Sequence, residues 1–380
     1  MRPLLVVDAA HPLDVRAALK DAVIDGGPAV LPRLGGAKDA LTAPYEVEQE
    51  VAIVIETSGT TGKPKRVWLP ADALLSSARG HLDSLGGDGV WWLVVPTSYI
   101  AGVQVLTRSI LAGTQPIVAT PGPFGPDRLL DAIEELSEAK KTSRLYSAMV
   151  PAQLARLVDA AENDPRVLAG LRLFDAILVG GQAIPQPLVT RAEQLGVEVI
   201  RTYGSAETSG GCVWNGRPLP GVVVSDMDGR LAIHGPHLAG GYLDDPVLSS
   251  RHFIDKDGTR WFVTDDQGVI HPDGSIAIVG RVDDVIVSGG KKVSLAEVER
   301  ILVDEGGFQG IVVVPGSHEE WGQVPVIVSP TGIDLDRAKQ LVGHILGVHA
   351  RPDRVVTLDP IPVLASGKPD RVAITRLVSP

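Results

Sequence analysis

A chain of 380 residues is long for one domain and suits two. With 44% hydrophobic and 21% charged residues it has ample core, and its net charge of −11 argues against a general nucleic-acid binder while leaving room for a local basic pocket. Cys212 is the one cysteine, which excludes an intrachain disulfide and a cysteine-based zinc site.

In chain order, "MRPLLVVDAAHPLD" has too short an apolar run for a secretory signal before it meets charge. "DVRAALKDAVIDG" has apolar residues at helical spacing and Gly26 after it. "EVAIVIE" reads as a strand, "ADALLSSARGHLDSL" as a helix, "WWLVVP" and "QPIVAT" as buried strands joined through the helical "GVQVLTRSILAG". The most apolar stretch, "VWWLVVP", is far short of the ~20 residues that cross a bilayer. A cytoplasmic protein of enzyme size, with no transmembrane segment, is therefore expected. Further helices ("PDRLLDAIEEL", "PAQLARLVDAAEN", "PQPLVTRAEQLG") alternate with strands ("RLYSAMV", "FDAILVGG", "VEVIRTYG"), which predicts a mostly parallel, layered sheet. After Gly211 the texture changes to short strands punctuated by "MDG" and "PDG" turns. A compact α+β pattern closes the chain: helix "SLAEVERIL", strands "GIVVVPG" and "VPVIVS", helix "DLDRAKQLVGHIL".

The stretch "ETSGTTGKPKRVWL" first suggests a Walker phosphate loop. Only two residues separate Gly59 from Gly62, however, and Lys63 is followed by Pro64. A strand, not a helix, follows, so the Walker reading fails on spacing and on context. What remains is a Gly-rich, hydroxyl-rich strand–loop–strand.

Five segments together resemble the AMP-forming acyl-CoA synthetases, the adenylate-forming ligases. They are "TSGTTGKPK" (57–65), "TYGSAETSGG" (202–211), "WFVTDD" (261–266), "GRVDDVIVSGGKKV" (280–293) and "PIPVLASGKPDR" (360–371), and they occur in the family's order. "SYIAGVQVLTRSILAGT", "GGCVWNGRPLPGV" and "HLAGGYL" sharpen the resemblance toward the short o-succinylbenzoate–CoA ligases of menaquinone biosynthesis. The resemblance implies an α/β fold: a large N-terminal layered α/β domain with a β-rich subdomain (1–282), then a small mobile α+β domain (283–380). It implies ATP and coenzyme A as co-substrates, Mg²⁺, and a small carboxylic acid. A homodimer fits this picture.

The chemistry so implied has two steps. A carboxylate attacks the α-phosphorus of ATP and pyrophosphate leaves; then the thiol of coenzyme A displaces AMP. An anion meeting a polyanion needs backbone donors, a divalent cation and a positive charge near the in-line oxygens. By resemblance Thr57, Ser58, Gly59, Thr60, Thr61, Gly62 and Lys63 handle the β- and γ-phosphates. Gly180, Gly181 and Gln182 line the adenine and acyl pocket. Tyr203, with Gly204 after it, stacks on adenine. Glu207 is catalytic and helps bind Mg²⁺, as a hard cation prefers carboxylate and phosphate oxygens. Asp265 accepts from the ribose hydroxyls, Arg281 reaches ribose or phosphate, Asp283 is the hinge, and Gly289 and Gly290 flank the pantetheine channel. Lys368 is the catalytic lysine, bridging carboxylate and α-phosphate electrostatically.

Two departures stand out. Ala206 occupies a position where the family has Thr or Ser, and Ser205 or Thr208 is the available substitute. Ser98 and Tyr99 stand where the family commonly has His-His or an aromatic-His pair, at the gate of the acyl pocket. Three readings therefore stay open: an o-succinylbenzoate–CoA ligase, a ligase for another aryl or acyl acid, and a non-catalytic nucleotide-binding homologue. None of the nine histidines shows metal-ligand spacing.

Overall fold

Val51–Thr57 and Lys65–Pro70 are the strands expected on either side of the Gly-rich loop, paired antiparallel with Thr57 against Lys65. The computed structural model describes residues 1–35, 45–57, 64–364 and 368–378. Ser58, Gly59, Thr60, Thr61, Gly62 and Lys63 lie outside the described residues.

Around this pair a six-stranded sheet runs in the order Gly241–Tyr242, Lys65–Pro70, Val51–Thr57, Ala29–Arg33, Arg2–Asp8, Glu46–Val47. Arg2–Asp8, Ala29–Arg33 and Val51–Thr57 run parallel to one another, and the other strands pair antiparallel. A seven-stranded sheet follows: Arg217–Pro218, Gly210–Trp214, Val199–Ser205, Ala176–Gly180, Arg144–Met149, Gly89–Leu93, Ile117–Val118. The last five of these are parallel. The mostly parallel expectation thus holds for this sheet, while the first is mixed.

The Ala71–Ser84 and Ile100–Leu111 helices share one core with residues of both sheets, among them Ile53, Val67, Leu74, Trp91, Val103, Leu106 and Tyr146. A second core, with Leu129, Leu136, Leu154, Leu157 and Leu188, covers the seven-stranded sheet with further helices. Strands covered on both faces lose polar alternation, which is why Val51–Ile55 is buried throughout. One helix expected over "PDRLLDAIEEL" is two, Pro126–Asp131 and Ile133–Lys140.

The β-rich texture after Gly211 becomes an antiparallel sheet ordered Val223–Met227, Arg230–His234, Thr259–Val263, Phe253–Lys256. Its "MDG" turn carries Asp228 and Gly229 at φ 54° and 77°. Paired positive φ values at a two-residue connection match the right-handed twist of the strands they join.

The chain divides into two compact units. The first is Met1–Ile184, Leu188–Ser225 and Ala232–Val263; the second is Pro185–Pro187, Asp226–Leu231 and Thr264–Pro380. The main break therefore precedes the motif-based boundary at 282/283. In the second unit Asp266–Ile270 pairs with Ile276–Arg281. A separate sheet runs Lys291–Ser294, Val285–Ser288, Gly322–Ser329, Val312–His318, with Val355–Thr357 beside Gly322–Ser329. The Leu295–Asp304 and Leu335–Ile345 helices build one core on it, and the Arg371–Val378 helix builds another. Among the described residues no helix is long and apolar enough to cross a membrane.

Candidate functional site

In the first unit, Val199–Ser205 ends in a single tight turn, Ala206–Thr208, before Gly210–Trp214 returns antiparallel. Tyr203 pairs across to Val213 and is half-buried, with a register shift between Tyr203 and Gly204. Glu207 accepts a 2.9 Å hydrogen bond from the Tyr242 hydroxyl on Oε1, and its backbone carbonyl accepts from Ala239 N–H at 2.8 Å. Oε2 has no hydrogen-bond partner among the described residues.

Ala206 is buried. The hydroxyl of Thr208, one of the two candidate substitutes, is engaged by backbone groups. Its Oγ1 accepts from Ser205 N–H at 2.9 Å and donates to Gly210 O at 2.7 Å, and the residue is fully buried. Ser205 Oγ, the other candidate, is shielded from water with no hydrogen-bond partner among the described residues.

Gly180 closes the Ala176–Gly180 strand where a Cβ would lie 2.2 Å from Thr202 Oγ1, so the close approach of neighbouring strands requires it. Gly181 follows at φ 82°, and Gln182 Nε2 is shielded from water without a hydrogen-bond partner among the described residues. A buried amide donor left unpaired costs free energy that a ligand acceptor would recover.

Ser98 and Tyr99 are half-buried and lead directly into the Ile100–Leu111 helix, whose N-cap is Tyr99. Gln104, one turn in, donates Nε2 to Ser209 O at 2.7 Å and so ties this helix to the Glu207 turn. A further turn along stands Arg108, which no motif signalled. It is 2% exposed. Its Nε donates to Gln104 O at 2.9 Å, its Nη1 lies 3.3 Å from His81 Nδ1, and its guanidinium carbon sits 3.8 Å from the Trp91 ring centroid. No carboxylate pairs with it among the described residues. Burial pulls its pKa down to about 9. His81 is also buried; burial, then the Arg108 charge, hold its pKa down to about 3.

The second unit gathers a charged cluster from four separate segments. Asp265 lies 3.4 Å from Arg230 Nη1 and 3.4 Å from Arg281 Nη2. Arg281 forks onto Asp283, with Nε to Oδ1 at 2.7 Å and Nη2 to Oδ2 at 2.9 Å, and approaches Asp266 at 3.5 Å. Burial works against the Arg281 charge, and Asp283, Asp266 and Asp265 overcome it and raise its pKa. Lys368 belongs to the same cluster. Burial lowers its pKa, the Arg281 charge lowers it too, and Asp266 opposes both. Its carbonyl accepts from Leu364 N–H at 2.7 Å, and Val363 bridges Pro369.

Gly289 and Gly290 make the two-residue turn between Val285–Ser288 and Lys291–Ser294, at φ 54° and 77°. A Cβ on Gly289 would lie 2.6 Å from the Trp321 ring. The hairpin demands glycine there whatever binds nearby.

A family model described as AMP-binding enzyme matches residues 5–243, well over half of the chain. The chain belongs to that family of AMP-binding enzymes. Among its relatives, a probable 2-succinylbenzoate–CoA ligase of Mycobacterium tuberculosis is 38% identical over 346 residues, 89% of this chain and 87% of the relative. Two solved structures are similar throughout. One is an Arg-to-Lys variant of Escherichia coli MenE with bound OSB-AMS, 25% identical with a TM-score of 0.70, covering 93% of this chain and 73% of that one. The other is o-succinylbenzoate CoA synthetase of Bacillus subtilis with the acyl-adenylate OSB-AMP, 22% identical with a TM-score of 0.74, covering 98% and 82%. For an AMP-binding enzyme the donor set suits Mg²⁺. Among the described residues no three His, Cys, Asp or Glu side chains form a metal-holding group. Glu207, whose Oε2 accepts no hydrogen bond from the described residues, would hold the ion together with phosphate oxygens and water, the usual habit of this cation.

Proposed function

We propose that this AMP-binding enzyme is an ATP-dependent acid–CoA ligase that works through an acyl-adenylate, and that its acid is o-succinylbenzoate. An oxygen of the succinyl carboxylate attacks the α-phosphorus of ATP, and the bond to the bridging oxygen breaks to release pyrophosphate. The thiol of coenzyme A then attacks the acyl carbon, loses its proton, and AMP leaves.

In this reading Lys368 supplies a cation to the oxygens that gain charge during adenylation. Asp265 and Arg281 receive the ribose and phosphate, and Thr57 to Lys63 wrap the β- and γ-phosphates. Glu207 holds Mg²⁺, which supplies charge neutralisation on the phosphates when bound. Asp283 is the hinge of the small domain, 283–380, and the Gly289–Gly290 turn borders the path of pantetheine. Tyr203, Gly204, Gly180, Gly181 and Gln182 receive the base and acyl group. ATP and coenzyme A as co-substrates support a cytoplasmic location.

The observation that carries the choice of acid is Arg108. A buried guanidinium without a carboxylate partner is costly by itself. o-Succinylbenzoate brings a second, unreacting carboxylate that must also be buried against a cation. Arg108 lies on the helix that Ser98 and Tyr99 begin, one turn from the Gln104 that contacts the Glu207 turn. Each charge answers the other.

Steady-state kinetics on two acids test this. o-Succinylbenzoate should exceed 4-phenyl-4-oxobutanoate, which lacks the ring carboxylate, by at least ~10-fold in kcat/KM, because a charged hydrogen bond is worth roughly 1.5–3 kcal/mol. Arg108→Leu should remove most of that margin. Equal activity on both acids, or better activity on a benzoic or fatty acid, would keep the ligase and overturn its substrate.

A further inference from the structure

Among the described residues, Arg108 is held in place without being neutralised. Its Nε is taken by the carbonyl of Gln104 and its ring-facing surface by Trp91. The remaining fixed contact is the 3.3 Å approach of Nη1 to His81 Nδ1. Nη2 makes no hydrogen bond among the described residues. An arginine can only donate, so His81 Nδ1 must accept and cannot carry a proton. The other ring nitrogen, Nε2, lies 2.5 Å from Gly211 O, which can only accept, so Nε2 carries the proton. Two contacts on opposite edges of the ring thus select one neutral tautomer. The ring is also stacked on Trp214 at 5.1 Å between centroids and 23° between planes. It cannot turn without losing all three contacts.

We infer that His81 is a positioning residue for substrate recognition, acting through Arg108: it fixes the guanidinium as a neutral acceptor and leaves its charge for the ring carboxylate of the acid. This rests on the o-succinylbenzoate reading. A carboxylate at position 81 would also hold Arg108, but it would cancel the charge and compete with the incoming anion. An aliphatic residue would fill the space and hold nothing. Neutral imidazole orients the cation and leaves its charge available. The contact to Gly211 O further links Arg108 to the strand that follows the Glu207 turn.

Three variants separate these roles. His81→Gln keeps an acceptor and a donor, His81→Leu keeps bulk only, and His81→Glu supplies the neutralising acid. For each, kcat/KM is measured on o-succinylbenzoate and on 4-phenyl-4-oxobutanoate, with thermal melting as a check of folding. The Gln variant should keep the wild-type ratio within about 3-fold. The Leu and Glu variants should lose about 10-fold of it, through a higher KM for the dicarboxylate, while the monocarboxylate is processed as by wild type. A general packing role would lower both acids alike, and that outcome overturns the inference. So does a wild-type ratio that survives in the Leu and Glu variants. If the Glu variant fails to fold, the Leu and Gln pair decides alone. A wild-type ratio near one defeats the substrate reading and this inference with it; a high wild-type ratio that the variants retain defeats only this inference.

Discussion

Lys368 owes its surroundings to local backbone contacts and to charges far away in the chain. Val363 bridges Pro369, and Asp370 N–H donates to Pro362 O at 2.9 Å, so the backbone beside the lysine is tied down. Arg281 and Asp266 then set its electrostatic setting from the strand pair Asp266–Ile270 and Ile276–Arg281. A preorganised cation of this kind acts on charge developing in the transition state. Lys368→Ala should therefore slow adenylation by about 10²–10³, or ~3–4 kcal/mol, and largely spare thiolation of preformed acyl-adenylate. Pyrophosphate release and CoA-dependent AMP release, measured separately, check it; equal losses would remove Lys368 from the first step. The motifs named Asp265, Arg281, Asp283 and Lys368 from sequence, and these residues do converge. Arg230, Tyr242, His81 and Arg108 were not legible in the same way. Their partners lie far off in the chain, as with His81 and Gly211, 130 residues apart. The sole hint was a lone charge, the arginine, in the mostly apolar "IAGVQVLTRSIL".

At the level of elements, three strands meet at Glu56, the residue before the Gly-rich segment begins. Its carboxylate accepts from Arg33 at 2.6 and 2.9 Å and from Arg66 at 3.2 Å, which ties Ala29–Arg33 and Lys65–Pro70 to Val51–Thr57. Burial would raise the Glu56 pKa, yet the two arginines outweigh it and hold the group below its ordinary 4.5. A folded pKa below the unfolded one gives stability that is present above the unfolded value and lost as pH falls through the folded one. Glu56→Gln should therefore cost about 1 kcal/mol at neutral pH, a value discounted for solvent screening. The gap between variant and wild type should close as pH falls through the wild-type carboxylate's pKa. Urea unfolding at neutral pH and at about pH 3.5 measures both; a constant gap would mean that the charge is not what ties the strands. The strand–loop–strand was readable because β-branched runs flank turn residues. Arg2–Asp8 was not read as a strand, since Arg2 and Pro3 on one side and Asp8 on the other leave an apolar run of only Leu4 to Val7.

On the scale of the whole molecule, one chain has to serve two successive reactions, and the hinge is where the proposal is most exposed. Packing divides the chain between Val263 and Thr264 because Thr259–Val263 pairs with Ala232, Ile233 and Phe253–Lys256, whereas Asp266–Ile270 pairs with Ile276–Arg281. Sequence texture could show that a division exists but not which strands pair. The proposed pivot, Asp283, lies further on, in the short turn Val282–Asp284, with its carboxylate held by the Arg281 fork. Two properties of Asp283 are therefore mixed, its backbone freedom and its ion pair, and two substitutions part them. Asp283→Ala removes the fork and leaves the backbone free. Asp283→Pro removes the fork, holds φ near −65°, and also disfavours the helical conformation of Val282. If rotation at this residue carries the enzyme from adenylation to thiolation, the proline variant should lose one half-reaction far more than the other. The alanine variant should change both by similar, smaller factors. Single-turnover rates of acyl-adenylate formation and of its consumption by coenzyme A give the two numbers. A proline variant that matches the alanine variant in both steps would show that backbone rotation at Asp283 is not required, and the pivot would have to be sought elsewhere in the chain.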